Sequence, residues 1–322
     1  MLLLKDYLMY LVKRILSLIP VLLVVSIIVF LIIHMTPGDP ASIMLGEDAT
    51  VEQIEQLREE LGLNLPLIQQ YLNWVIGALQ ANLGSSYFMN EPVTESILSH
   101  LGPTISLTII SQLIAVMIAI PVGIFAARRR GTMSDQSVMG FSLLGMSVPN
   151  FILGLLTMLV FGVIFRWLPI AGYEPINSGL WNHLKFLILP AISLGTLQAA
   201  LITRITRASM LEVLNNNYIK SARAKGVKES HIIYKHVFRN AFIPILTVIG
   251  QTFGGLIAGA VITETIFNIP GIGQLTINSI QRRDYPMIQG IIFFVSMSYV
   301  FINLIVDLLY GVINPRVRLE RK

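Results

Sequence analysis

Six stretches of the chain are long, apolar and almost free of charge: residues 12–33, 103–127, 138–165, 186–206, 241–262 and 287–313. About 20 such residues cross a bilayer as a helix, so the pattern predicts an all-α integral membrane protein with six transmembrane helices. The segment 34–102 between the first two runs carries a finer pattern. In TVEQIEQLREELG, Thr50 stands where an N-cap belongs, with Gln53 three residues on, and Gly62 follows the last apolar turn. Val51, Ile54, Leu57 and Leu61 form one apolar stripe of that helix. Pro66 opens a second helix through Gln80, with Leu72, Val75, Ile76 and Leu79 on one side. The segment reads as a small cap lying on the membrane face or as a docking surface for an external partner, and the pattern leaves both open.

Composition supports the membrane assignment, because 54% of the residues are apolar and 13% are charged, where a soluble domain has about 25% charged. The net charge of +5 is spread over the loops between apolar runs, which argues against a nucleic-acid binder. The chain has no cysteine, so disulfides, zinc–thiolate sites and cysteine nucleophiles are excluded. Lys5, Lys13 and Arg14 precede the first run as they would in a signal peptide. No small-residue cleavage site follows and five more spans do, so a retained helix is expected. With the N-terminus in the cytoplasm, 18 of the 23 lysines and arginines fall on the cytoplasmic side, leaving Arg58, Arg166, Lys185, Arg282 and Arg283 outside. That bias predicts both termini inside, 34–102 outside and 207–240 inside.

Chemistry inside the spans is sparse. Asp307 is the only carboxylate well within the runs as drawn, and His34, His100, His183, His231 and His236 lie near or beyond their ends. No H-E-x-x-H, G-x-S-x-G or Walker sequence occurs, so catalysis by this chain is not expected, and any ATP must be bound by another chain. A lone buried carboxylate would suit a proton-coupled transporter, but no second ionisable group accompanies Asp307, which favours a helix-to-helix hydrogen bond. FNIPGIGQL, residues 267–275, reads as a tight turn with its pair Gly271 and Gly273. Pro20, Pro121, Pro149 and Pro190 are candidate kinks.

The most distinctive stretch is basic. NNNYIKSARAKG follows the fourth run and predicts a short helix ended by a left-handed glycine, Gly226. A second helix follows from about Glu229 into the fifth run, broken near Pro244. Ser221, Ala222 and Ala224 are small, and with Lys220 they suit close packing against another surface. This segment resembles the cytoplasmic "EAA" loop of ABC-importer permeases. Its glycine aligns on Gly226, with Lys220 in the acidic position and Ser221 and Ala222 at the two alanines. The A-R-A-K-G and R-N-A-x-x-P forms found here are those of the peptide/nickel branch. RILSLIPVLLVVSIIVFLIIHMTPGDPA, ETIFNIPGIGQL, RRDYPMIQG and NLIVDLLYGVINPRVR resemble that branch in the same order, so the likeness covers nearly the whole chain. It is most similar to the B-type permease of dipeptide and oligopeptide systems.

The resemblance implies a type I importer (MetI-like) permease fold in a bacterial or archaeal cytoplasmic (inner) membrane. The implied layout is a tail and first span (1–33), an extracytoplasmic insert (34–102), a five-helix core (103–313) holding the coupling loop 207–240, and a cytoplasmic tail (314–322). Implied partners are a homologous second permease of C-type, two ATPase subunits and an external substrate-binding protein. The chain itself needs no cofactor, since ATP and magnesium sit on the ATPases. Tyr218, Lys220, Ser221, Ala222, Ala224 and Gly226 are implied to contact the ATPase. Gln112, Gln198, Gln251 and Asn303 line the pathway or merely bridge helices. The implied cargo is a di- or oligopeptide, or alternatively glutathione or a nickel chelate. A stand-alone secondary transporter would show paired midplane charges or an internal repeat, and neither is seen. A structural membrane scaffold would leave the loop motif unexplained.

Overall fold

The computed structural model describes residues 14–35, 38–46 and 49–313. Lys5, Lys13, Pro37, the tail 314–322 and the side chain of Asp307 lie outside that description. Among the described residues the chain is helical throughout, apart from turns and an isolated bridge between Ser85 and Pro92.

Helix α1 spans Leu18–Met35, and the Gly38-Asp39-Pro40 stretch after it has a local explanation. Gly38 takes φ +129°, and Asp39 caps α2 (Pro40–Leu45) by accepting from the Ser42 amide, with Pro40 at its first position. Helix α3 (Val51–Glu60) forms the reciprocal capping box between Thr50 and Gln53. It stops at Gly62, φ +67°, where Gly62 N–H donates to Glu59 and Leu63 N–H to Arg58. Helix α4 (Leu67–Leu79) opens after Pro66.

Helix α5 (Val93–Arg128) has 36 residues. At 1.5 Å per residue it is about 54 Å long, so it overshoots the roughly 30 Å apolar core and begins ten residues before the predicted run.

The third predicted span is not one helix. α6 (Met133–Ser147) and α7 (Asn150–Thr157, continued as a π-helix Met158–Ile164) meet at 99°. Pro149 is the cause: it disfavours helical geometry in the residue before it, and Val148 is extended at ψ 123°. Pro121 and Pro190, by contrast, lie inside unbroken helices.

Helix α8 spans Leu180–Leu214 and α9 spans Asn217–Ala224. A single turn, Glu229–His231, then leads through a π-helical stretch, Ile232–Phe238, into α10 (Arg239–Phe267). The break expected near Pro244 does not occur. Ala241 and Ile245 flank the proline and are buried in one cluster, which keeps the two halves of the helix in line. α11 (Ile272–Arg282) and α12 (Tyr285–Ile313) complete the chain.

Helices α5 and α8 pack closely, because small residues admit backbone to backbone. A Cβ on Gly195 would lie 2.7 Å from the Ser111 carbonyl oxygen, so no larger residue fits. Three apolar clusters stack along the bundle. One, around Ile202, Ile219 and Ile233, lies at the α9 end. The next surrounds Leu107, Leu194 and Phe267, and the last joins Val93, Ile97, Leu275 and Met287 beside the insert.

Candidate functional site

The corner between α8 and α10 is exposed and yet tightly held. Ile219 is fully buried among Ile232, Ile233 and Val237 and anchors α9. Ala222 and Val227 pack partly on the same cluster. Lys220, Ser221, Ala224 and Gly226 face solvent, as does Tyr218 at 45% exposure. Of the residues expected to meet a partner, Ala222 is therefore the one half turned inward.

Gly226 takes φ +75° and closes α9 with both bonds of a Schellman turn. Gly226 N–H donates to the Arg223 carbonyl at 2.9 Å and Val227 N–H to the Ala222 carbonyl at 3.2 Å. Arg223 then reaches across the corner to Glu229, Nη2 to Oε1 at 2.8 Å and Nε to Oε2 at 3.2 Å. The Tyr218 hydroxyl accepts from Asn240 Nδ2 at 3.0 Å, which ties α9 to the Asn of the R-N-A motif at the root of α10.

Three buried carboxylates among the described residues were missed in the sequence: Asp135, Glu264 and Asp284, the last accepting from Ser86 Oγ at 2.5 Å. Asp135, at the start of α6, receives Arg207 of α8 in a bidentate pair, Nε at 2.5 Å and Nη2 at 2.7 Å, and also accepts from Gly131 N–H at 2.9 Å. Its signal was the pattern Thr132-x-x-Asp135, an N-cap followed by an acidic third position, and Thr132 does cap α6.

Glu264 is fully buried in the last turns of α10, just past the predicted end of that span at 262. Asp307 is thus not the only carboxylate set within a long apolar helix. Glu264 accepts from Thr104 Oγ1 at 2.7 Å, Gly273 N–H at 2.7 Å and Gln274 N–H at 3.2 Å. Thr104 Oγ1 in turn accepts from Ile272 N–H at 2.8 Å. The carboxylate occupies the N-terminus of α11, where exposed amides favour negative charge. A Cβ on Gly271 would lie 2.4 Å from this carboxylate and one on Gly273 2.3 Å from Val261 Cα, so packing explains the PGIG pair. FNIPGIGQL is the expected tight turn, and it leads directly into α11.

The four polar candidates inside the spans separate. Gln112 bridges helices: it is 7% exposed, and its Nε2 lies 3.3 Å from both the Ile249 carbonyl and Thr252 Oγ1 of α10. Asn303 bonds back to the Tyr299 carbonyl of its own helix at 3.0 Å. Gln251 is exposed and Gln198 half-buried.

The geometry defines a class: a multi-pass helical membrane protein whose bundle carries a rigid basic corner between two long helices. Comparison with known families makes it specific. The chain belongs to the binding-protein-dependent transport system inner membrane components, whose family model matches residues 119–319, while the family's N-terminal model matches residues 7–108. It is accordingly a permease component of an ABC importer. It is 43% identical over 309 residues to a protein of Sinorhizobium fredii named as a probable peptide ABC transporter permease, covering 96% of this chain and 99% of that one. It is equally 43% identical over 309 residues to the glutathione transport system permease protein of Escherichia coli K12, covering 96% and 98%. The MetI-like fold is also met in solved structures. An inward-facing MetNI methionine ABC transporter matches with TM-score 0.56 and 18% identity over 68% of this chain and 96% of that chain.

Proposed function

We propose that this permease forms half of a translocation pathway for di- or oligopeptides and that the corner at Gly226 couples it to ATP hydrolysis on separate ATPase subunits. The observation that carries this reading is the corner itself: a short helix held on one side, with Tyr218, Lys220, Ser221, Ala224 and Gly226 presented on the other. A solvated loop would need neither the buried Ile219 nor the Schellman closure. The charge bias of 18 to 5 supports both termini and residues 207–240 in the cytoplasm. ATP and magnesium belong to two ATPases below, and a second, homologous permease completes the pathway. An external binding protein delivers cargo from the side of residues 34–102, and 103–313 is the permease core. Gln198 and Gln251 remain the pathway candidates, because Gln112 and Asn303 have partners within the chain.

Peptide cargo follows the name of the Sinorhizobium relative, and the equal identity to a glutathione permease supports glutathione as the second reading. Two experiments test the proposal. With no native cysteine, a cysteine at Glu55 is labelled by an impermeant thiol reagent from outside and one at Glu229 is not; the reverse pattern overturns the orientation. In proteoliposomes holding the complete importer, ATP-dependent uptake of labelled dipeptide exceeds that of labelled glutathione. Uptake of glutathione alone selects the second reading.

A further inference from the structure

Helix α4 belongs to a stretch, residues 61–90, that contains no Asp, Glu, Lys or Arg. Its residues divide into three arcs at about 100° per residue. The first arc faces the bundle. The Tyr71 hydroxyl shares a hydrogen bond of 2.8 Å with Ser26 of α1, Gln70 reaches His34 at 3.1 Å, and Trp74 packs edge-on against Phe293 of α12. The second arc is apolar and bare: Ile68, Leu72, Ile76 and Leu79 are 75%, 50%, 53% and 83% exposed. The third arc is polar, with Gln69 and Asn73 exposed, and Asn73 lines an open cavity of about 550 Å³ with Arg58 and Asn64.

Depth decides what covers the bare arc. Ser26 lies eight residues before His34 on α1, and Phe293 eight residues after Tyr285 on α12. At 1.5 Å per residue both contacts sit about 12 Å inside the helix ends. α4 therefore lies beside the terminal halves of two spans and does not stand above them. The neighbouring helix α1 is likewise bare at Leu23, Ile27 and Leu31.

We propose that α4 is an interfacial helix seated in the leaflet at the C-terminal end of α1. Its Ile68–Leu72–Ile76–Leu79 stripe rests on acyl chains, and its Gln69–Asn73 edge meets water. An apolar arc beside a polar arc suits a helix lying in the plane of the bilayer surface. The insert is then a cap held by lipid as well as by α1 and α12, and the proposal holds whichever side of the membrane that leaflet faces.

The test uses the complete importer in nanodiscs of phosphatidylethanolamine and phosphatidylglycerol. Single cysteines at Ile68, Leu72, Ile76, Leu79, Gln69, Asn73 and Glu52 carry a nitroxide, and collision rates with oxygen and with a water-soluble nickel chelate are measured. The oxygen-to-nickel ratio at the four stripe positions exceeds that at Gln69, Asn73 and Glu52 by about threefold or more, as acyl-chain contact requires. Nickel-dominated collisions at the stripe would show a water-exposed docking face. Exclusion of both reagents, with crosslinks from Leu72 to another subunit, would show a protein interface. Either result overturns the proposal. The readout does not involve transport, so it stands or falls separately from the coupling role of the corner.

Discussion

Substituting Gly226 separates backbone strain from bulk at the corner. A Cβ at this position would meet nothing within 4 Å in the chain, so inside the permease a side chain costs only the left-handed conformation. For valine that cost is about 2 kcal/mol, and for asparagine, which tolerates this region, about 0.5 kcal/mol. Against it stand two solvent-exposed backbone bonds, at about 0.5 kcal/mol each. The exposed Arg223–Glu229 pair adds about 0.5 kcal/mol after solvent screening. A corner held by about 1.5 kcal/mol is formed about 93% of the time, and valine lowers that to about 30%. A partner that binds only the formed corner then loses about threefold in apparent affinity. Asparagine changes it by less than about 1.2-fold, and valine combined with Glu229→Gln loses about sixfold.

The assay titrates purified ATPase subunits onto the permease complex in nanodiscs and follows uptake in parallel. The expected order is glycine, then asparagine, then Gly226→Val, then Gly226→Val with Glu229→Gln. If asparagine and valine lose affinity equally, volume against the partner sets the effect and the strain argument fails. If all four bind alike and support uptake, α9 is not the coupling element.

Three further outcomes follow from named contacts. Asp135→Ala leaves Arg207 and Gly131 N–H without their acceptor and lowers stability by about 3 kcal/mol; the double change Asp135→Leu with Arg207→Met recovers most of it, read by thermal unfolding in detergent. Glu264→Ala strips the acceptor from Thr104, from the buried Gly273 amide and from the half-buried Gln274 amide and costs about 3 kcal/mol, whereas Thr104→Val, which spares the Gly273 and Gln274 bonds, costs less in the same measurement. Burial pushes the Asp39 carboxyl up, but hydrogen bonds from Ser42 and Arg58 outweigh it and hold the group below its ordinary 3.8. Its contribution is complete above the unfolded value and disappears as pH falls through the depressed folded one. A spin label at Glu52 therefore stays ordered from pH 7 to about 4 and gains mobility below that, while in Arg58→Gln the mobility begins at higher pH; an equal onset in both proteins would show that the pair does not hold α3.

The elements legible in sequence were those fixed by local rules. The Thr50–Gln53 box and the glycine stops at Gly62 and Gly226 depend on neighbours within six residues, and they formed as the pattern implied. Prolines were less legible, because the same residue breaks the chain at Pro149 and is absorbed at Pro190 and Pro244. Whether the flanking turns are buried on one side decides the outcome, and that is a property of the packed bundle. Glu264 and Asp135 were hidden for the same reason. Their side-chain partners lie 160 and 72 residues away in sequence, and hydropathy runs end where a carboxylate begins, even when the helix continues past it.

Transmission through the corner depends on what holds its two ends. On the α10 side, Ile219 sits in the Ile232, Ile233 and Val237 cluster and Tyr218 bonds to Asn240. On the α8 side, Arg207 is clamped two turns before α8 ends, and its partner Asp135 stands at the first turn of α6. On the coupling reading, a push on α9 is delivered to α8 and α10 together and, through the Arg207–Asp135 pair, to α6. The far end of α6 is the extended Val148 before Pro149, where no helical hydrogen bond crosses from one half of the span to the other. α1 lies off this route: its described contacts run to α4 and α12. On the coupling reading, the broken span is where a displacement at the corner changes the shape of the pathway, because among the described residues it is the span whose two halves can turn separately without breaking a helix.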